Sequence, residues 1–152
     1  MNEISIRKAT VEDAGVIHSL LTELEKTLGA TQQVKRTLAD LEAFGFSGEP
    51  CFEALIAWKN ATAVGLVLFF KEFSTWRGVP GVYVQDLYVA EDFRGSGLGS
   101  MLMKAVFEHT RDWSAQYCRL SVHTGNETAM AFYKRLGFKE ARNEHVFVLD
   151  GL

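Results

Sequence analysis

Arg94-Gly95-Ser96-Gly97-Leu98-Gly99-Ser100 is the stretch on which the reading of this chain turns. It follows a strand-like run, Val82 to Ala90, and opens a helical pattern in Leu98, Met101, Leu102, Ala105 and Val106 that runs to about Asp112. Glycines between a strand and a helix let the backbone approach a ligand closely. The helix start adds unpaired N–H groups and the positive end of the helix dipole. Such a loop suits a phosphate. A Walker loop is excluded because no Gly-Lys-Ser/Thr follows. A dinucleotide fingerprint would need glycine at Ser100 and an acidic residue about 20 positions on. A glycine-rich turn without a ligand is the alternative that the loop alone leaves open.

Upstream, Ile4 and Ile6 alternate with polar neighbours as in a strand, and Thr10 with Asp13 resembles a capping box opening a helix. Ala14, Ile17, Leu20, Leu21, Leu24 and Leu28 keep helical spacing up to Gly29. A shorter helix is predicted from Val34 to Phe44, stopped by Gly45. Strands are predicted over Cys51 to Trp58 and Ala63 to Phe73, joined across Lys59-Asn60, with a turn at Trp76 to Gly81 before Val82. Downstream, the pattern predicts a strand at Cys118 to Val122 and a helix capped by Asn126 with Ala129, Phe132 and Leu136 on one face. Closing strands are predicted at Phe138 to Ala141 and His145 to Leu149. With no repeat, low-complexity tract or linker, residues 1 to 152 read as a single domain.

Composition narrows the class. The chain has 152 residues, 47% hydrophobic and 23% charged, which is globular rather than disordered, fibrous or membrane-spanning. A chain of this length buries about 70% of its unfolded surface without metal or disulfide staples. Cys51 and Cys118 form no C-x-x-C pair, and the N-terminal M-N-E-I-S-I-R-K lacks an apolar signal core, so a cytosolic location is expected. Net charge is -5 over residues 1 to 93 and +2 over residues 94 to 152. An acidic chain is a poor nucleic-acid binder, while a basic C-terminal part can host a polyanion and an acidic part favours a cation. His18, His109 and His145 show no metal-ligand spacing, and no metal is expected. No G-x-S-x-G nucleophile motif is present.

Arg94 to Gly99 resembles the R/Q-x-x-G-x-G/A acetyl-coenzyme A signature of the GNAT N-acetyltransferases. V-Q-D-L-Y-V-A-E-D-F, Val84 to Phe93, is similar to the family's fourth strand and its exit, and N-E-T-A-M-A-F-Y-K-R-L-G-F, Asn126 to Phe138, to its late helix. The resemblance implies an α/β fold with a mixed, mostly antiparallel sheet of six to seven strands flanked by about four helices. Within the family the sequence most resembles the spermidine/spermine and thialysine acetyltransferases, through F-Y-K-R-L-G, the Trp76 loop and Q-D-L-Y.

That resemblance carries residue roles. Backbone N–H groups from Arg94 through Ser96, Gly97 and Leu98 to Ser100 would cradle the pyrophosphate of acetyl-coenzyme A, with Arg94 adding charge. Leu87, Tyr88 and Val89 would offer main-chain groups to the pantetheine arm and acetyl carbonyl, and the Val89 N–H would be the oxyanion donor, an effect typically worth about 3 kcal/mol. Asn126 and Lys134 would contact the cofactor, and Tyr133 would be the general acid toward the departing sulfur. An alkylammonium has a pKa of about 10.4 and must lose a proton before it attacks. The polyamine enzymes carry a Glu-Asp pair where this chain has Gln85-Asp86, so Asp86 is retained and the glutamate is not. Asp86 alternates with Val84 and Tyr88, which leaves contact with substrate and a structural hydrogen bond both open. Glu72, Trp76 and Tyr83 could form an acidic and aromatic wall for an alkylammonium. His123 is a weaker site candidate. The expected activity is transfer of an acetyl group to a small primary amine by direct attack in a ternary complex. The expected protein is a cytoplasmic homodimer with no nucleic-acid or membrane partner. Peptide acetylation and a non-catalytic acyl-coenzyme A binding module are the rival readings.

Overall fold

A computed structural model describes residues 3–29 and 33–152. The strands are β1 (Ile4–Lys8), β2 (Glu53–Lys59), β3 (Thr62–Ser74), β4 (Val79–Val89) and β5 (Cys118–Leu120). The helices are α1 (Ala14–Thr27), α2 (Leu38–Phe46), α3 (Leu98–His109) and α4 (Glu127–Arg135). The chain divides into two compact units, Met1–Ser121 and Val122–Leu152.

The first unit is one sheet in the order β1-β2-β3-β4-β5, an antiparallel meander closed by β5 running parallel to β4. Asn60 turns the β2-β3 hairpin with φ 56°. On one face, Ala54, Ile56, Leu66, Leu68 and Tyr88 pack with Ile17, Leu20 and Leu21 of α1 and Leu41 of α2. The opposite face meets α3: Phe69 lies against His109 and Trp113 at ring distances of 5.7 and 5.8 Å. A side chain on Gly65 would meet Leu102 at 3.0 Å, which keeps that strand position bare. Leu98, Leu102, Met103 and Val106 are all buried. The apolar periodicity of α1 and α3 thus marks the faces that close on the sheet from its two sides.

The structure revises some boundaries. The capping carboxylate of Asp13 accepts from the Thr10 N–H at 2.9 Å, as the sequence suggests, but a 3-10 turn over Val11–Asp13 precedes α1. Helix α2 starts later than Val34, because a second capping box intervenes. Thr37 Oγ1 accepts from the Asp40 N–H at 3.2 Å, and Asp40 accepts from the Thr37 N–H at 2.9 Å. Gly45 lies inside α2 rather than ending it, and its bare backbone makes room for the Phe52 ring, which a side chain there would meet.

The sheet has five strands, not six to seven. Residues 138–141 and 145–149 carry no ladder among the described residues. Val146, Phe147, Val148 and Leu149 are exposed, and alternation alone does not make a strand without a partner for its backbone. No helix among the described residues is long and apolar enough to cross a membrane.

Candidate active site

Strand β4 is irregular where the chemistry was expected. Leu68 of β3 pairs with Asp86, but its neighbour Phe69 pairs with Val84, so Gln85 is the extra residue of a bulge. Cross-strand partners share a face. Asp86 therefore lies with Leu68 and Tyr88 on the face covered by α1 and α2, and Val84 lies with Phe69 toward α3. The expectation that Asp86 shares a face with Val84 is corrected by this one-residue insertion. Gln85 is exposed.

Burial pushes the Asp86 carboxyl up to about 6, and the carboxylate of Glu25 adds to this while the Arg36 guanidinium opposes it. Arg36 is itself clamped. Its Nη1 and Nη2 donate to the two Glu25 oxygens at 2.7 and 3.2 Å, and its Nε donates to His18 Nδ1 at 3.4 Å. A carboxyl at this value is ionised at neutral pH yet more basic than an ordinary carboxylate, which suits a proton acceptor.

Further along β4 the backbone opens. Gly65 pairs with Val89, and the Ala90 N–H donates to Val64 O at 2.9 Å. This is the pattern of a non-hydrogen-bonded pair, in which the N–H and C=O of Val89 point away from β3. Leu87, opposite Val67, is oriented likewise. Strand β5 pairs only with Val82–Val84, so it does not cover this stretch of β4 edge. Tyr88 differs from expectation: paired with Leu66, it turns its N–H and C=O into the β3 ladder. What it offers is its ring, with the Arg94 guanidinium 6.0 Å from the centroid.

The glycine loop follows. Gly95 and Gly97 have φ of 76° and 87°, a left-handed backbone that favours glycine, and open space surrounds the position of a side chain at each. Gly97 caps α3. The Arg94 N–H donates to Glu91 O at 3.2 Å, and the Met101 N–H to Gly97 O at 3.1 Å. The Arg94 N–H is thus engaged within the loop, unlike the free donor expected there. The Arg94 guanidinium folds back onto Val89 O at 3.1 Å and Thr27 Oγ1 at 3.3 Å, while Ser96 Oγ donates to Phe93 O. An open, glycine-formed rim at the first turn of a 12-residue helix fits a phosphate group.

Two members of the expected acidic and aromatic wall, Glu72 and Tyr83, meet at Arg119. Arg119 binds the two oxygens of Glu72 at 2.9 and 3.0 Å, and its guanidinium lies 5.1 Å from the centre of the Tyr83 ring. Phe70 stacks on Tyr83 from the neighbouring strand at 5.1 Å, and Tyr83 shares a hydrogen bond with Ser121 at 2.8 Å. Tyr83 is thus packed between strands, whereas Trp76 is fully exposed on the β3-β4 turn. Burial pushes the Cys118 thiol up to about 12, which keeps it protonated and unreactive.

In the second unit, Asn126 Oδ1 accepts from the Ala129 N–H at 3.2 Å and caps α4. Tyr133 lies in the closing turn. The Gly137 N–H bonds Lys134 O and the Phe138 N–H bonds Tyr133 O, both at 3.0 Å, with Gly137 at φ 102°. This is a Schellman cap, and its apolar contact is Phe138 against Tyr133, 5.5 Å between ring centres, with Phe132 at 5.0 Å on the same ring. L-G-F therefore braces the tyrosine from its own helix end. Lys134 and His123 are exposed.

The acetyltransferase (GNAT) family pattern matches residues 16–138. The chain belongs to the GNAT acetyltransferase family. This acetyltransferase is 34% identical to the thialysine N-epsilon-acetyltransferase of Bos taurus, over 97% of its own length and 93% of the relative. It is 28% identical to an L-methionine sulfoximine/L-methionine sulfone acetyltransferase of Pseudomonas aeruginosa, over 86% and 80% of the two chains. Its fold matches that of an aminoglycoside acetyltransferase from an uncultured soil metagenomic sample, with a TM-score of 0.80 at 15% identity over 97% of each chain.

Sequence reasoning about the acetyltransferase missed the Glu25, Arg36 and His18 group. Glu25 and Arg36 are 11 positions apart, and no periodicity links them. The bulge had a faint signal, since Gln85 and Asp86 interrupt the apolar alternation of Val82 and Val84.

Proposed function

We propose that the chain moves an acetyl group from acetyl-coenzyme A to the primary amine of a small molecule of lysine-analogue, diamine or polyamine type, by direct attack in a ternary complex. The observation that carries this reading is Asp86, held on a covered face of β4 with its carboxyl raised to about 6, three residues before the outward-facing Val89 N–H.

Acetyl-coenzyme A, when bound, supplies an activated thioester. The N–H groups of Gly95 to Ser100 would hold its pyrophosphate, and the outward-facing main-chain groups of Leu87 and the Val89 N–H would align the pantetheine arm. The Val89 N–H would donate to the carbonyl oxygen as negative charge develops there. An Asp86 oxygen would take the proton of the acceptor ammonium, directly or through water. By resemblance Tyr133 Oη would protonate the departing sulfur, with Asn126 and Lys134 as further cofactor contacts. Gln85 and the exposed Trp76 are the candidates for touching the acceptor beside Asp86. The relatives that name thialysine support the substrate class. A cytoplasmic location, a homodimer and a single domain over residues 1 to 152 belong to the same proposal.

The test is a two-substrate initial-velocity study with intact-mass analysis of the protein. Intersecting lines and an unmodified protein mass are expected. Parallel lines with an acetylated protein would overturn the direct-attack mechanism, and turnover confined to peptides would overturn the substrate class.

A further inference from the structure

Asp86 shares its face of the sheet with a cluster of charge and aromatic rings. Along β3 and β4 two cross-strand pairs follow each other on that face, Leu68 with Asp86 and then Phe70 with Tyr83, the bulge at Gln85 lying between them. One such step along β3 is about 7 Å, comparable to the distance between the nitrogens of an extended diamine. Beyond Phe70 on the same face stands Glu72, and on the far side of β4, paired with Tyr83, stands Arg119 of β5. A carboxylate and an aromatic face are groups that hold an alkylammonium. Here a cation of the chain itself takes both. Arg119 Nε and Nη2 donate to the two Glu72 oxygens at 2.9 and 3.0 Å, and the same guanidinium lies 5.1 Å from the centre of the Tyr83 ring. Phe70 stacks on that ring from β3, with 23° between the planes, while Arg119 approaches from β5, and the Tyr83 hydroxyl is tied to Ser121 Oγ at 2.8 Å. The Glu72 side chain is 20% exposed and that of Arg119 54%, so an arriving acceptor meets the guanidinium before the carboxylate.

We propose that Arg119 is a specificity-determining residue that fills, with its own charge, the subsite where the second ammonium of a diamine or polyamine would otherwise rest. The inference rests on the reading of Asp86 as proton acceptor given above. It narrows the substrate class to amines whose far end carries no net positive charge, as in a lysine analogue. With the reacting nitrogen at Asp86, a second ammonium one step along the face meets a like charge, a neutralised Glu72 and a covered Tyr83 ring. Repulsion of the wrong acceptor discriminates as effectively as attraction of the right one. A zwitterionic far end has no such penalty.

The experiment measures binding and turnover in the full-length protein for wild type, Arg119→Met, Arg119→Lys and the double variant Glu72→Gln/Arg119→Met. Binding is followed calorimetrically with hexamethonium, a dication with no N–H to acetylate. Arg119→Met is expected to bind it roughly tenfold more tightly than wild type, a gain that shrinks as salt is added. Its kcat/KM for a diamine relative to thialysine should rise by a similar factor, through KM with kcat little changed. Arg119→Lys should stay near wild type, and the double variant should lose most of the gain because the carboxylate is gone. Arg119→Gln, which can still donate to Glu72 but carries no charge, takes the place of Arg119→Met should that variant not fold. Folded variants in which neither hexamethonium affinity nor the amine preference responds to Arg119 overturn the proposal. Tighter hexamethonium binding in an Arg119 variant of a protein that turns over no amine would instead uphold the guarded subsite and overturn the amine-acetylating reading.

Discussion

Asp86 and Val84 stand two positions apart on β4 and face opposite sides of the sheet, because Gln85 is the unpaired residue of a bulge between them. The bulge delivers a carboxyl to the face covered by α1 and leaves Gln85 exposed beside it. Gln85→Glu is therefore expected to fold normally and to add a negative charge next to Asp86. Its kcat/KM for a diamine or polyamine, relative to a monoamine, should rise several-fold at low salt, by attraction of the second ammonium. An unchanged ratio would show that Gln85 does not face the acceptor.

The raised carboxyl of Asp86 has a stability consequence with a definite sign. A group with a folded-state pKa above its unfolded value favours folding below that unfolded value, and the contribution is lost as pH rises through the folded value, here from about 4 to about 6. Asp86→Asn removes the buried charge. It should stabilise the protein at pH 7.5 by about 3 kcal/mol and have little effect near pH 4, as read by denaturant unfolding of both proteins.

Gly97 combines φ 87° with the cap of α3. Gly97→Ala forces a side chain into left-handed backbone at a cost of about 1–2 kcal/mol, although nothing crowds the site. The expected result is a higher KM for acetyl-coenzyme A with a smaller change in kcat. Calorimetric titration with coenzyme A checks whether the loss lies in binding.

Tyr133 is braced by Phe138 through the Schellman cap of α4. Tyr133→Phe is expected to lower kcat by roughly 100-fold while coenzyme A binding holds, the range typical of a lost proton donor. Phe138→Ala should lower kcat less, because the hydroxyl remains but its ring is no longer held. Equal losses in both variants would mean that the ring packing, and not the hydroxyl, is what the helix end preserves.

The helices, the meander and the glycine loop were legible in the sequence because each has a local cause: the spacing of Ile17, Leu20 and Leu21, the hairpin at Asn60, the glycines at 95 and 97. The start of α2 was not, since Val34 extends the apolar pattern and the decisive Thr37-Asp40 box interrupts it. The exposed alternation of Val146 to Leu149 illustrates the reverse, a strand pattern with no ladder among the described residues. At the site, Asp86, Val89 and the loop could be picked out from the motif. Which face Asp86 occupies could not, because it depends on one unpaired residue and so on the register with β3. The Glu25–Arg36 grip was illegible for a related reason: it is a tertiary contact with no linear spacing.

The most direct test of the account is a steady-state thiol-release assay with acetyl-coenzyme A against thialysine, diamines, polyamines, amino acids and short peptides. The account predicts turnover on one class of small primary amine. Tight binding of acetyl-coenzyme A with no thiol release on any acceptor would contradict it.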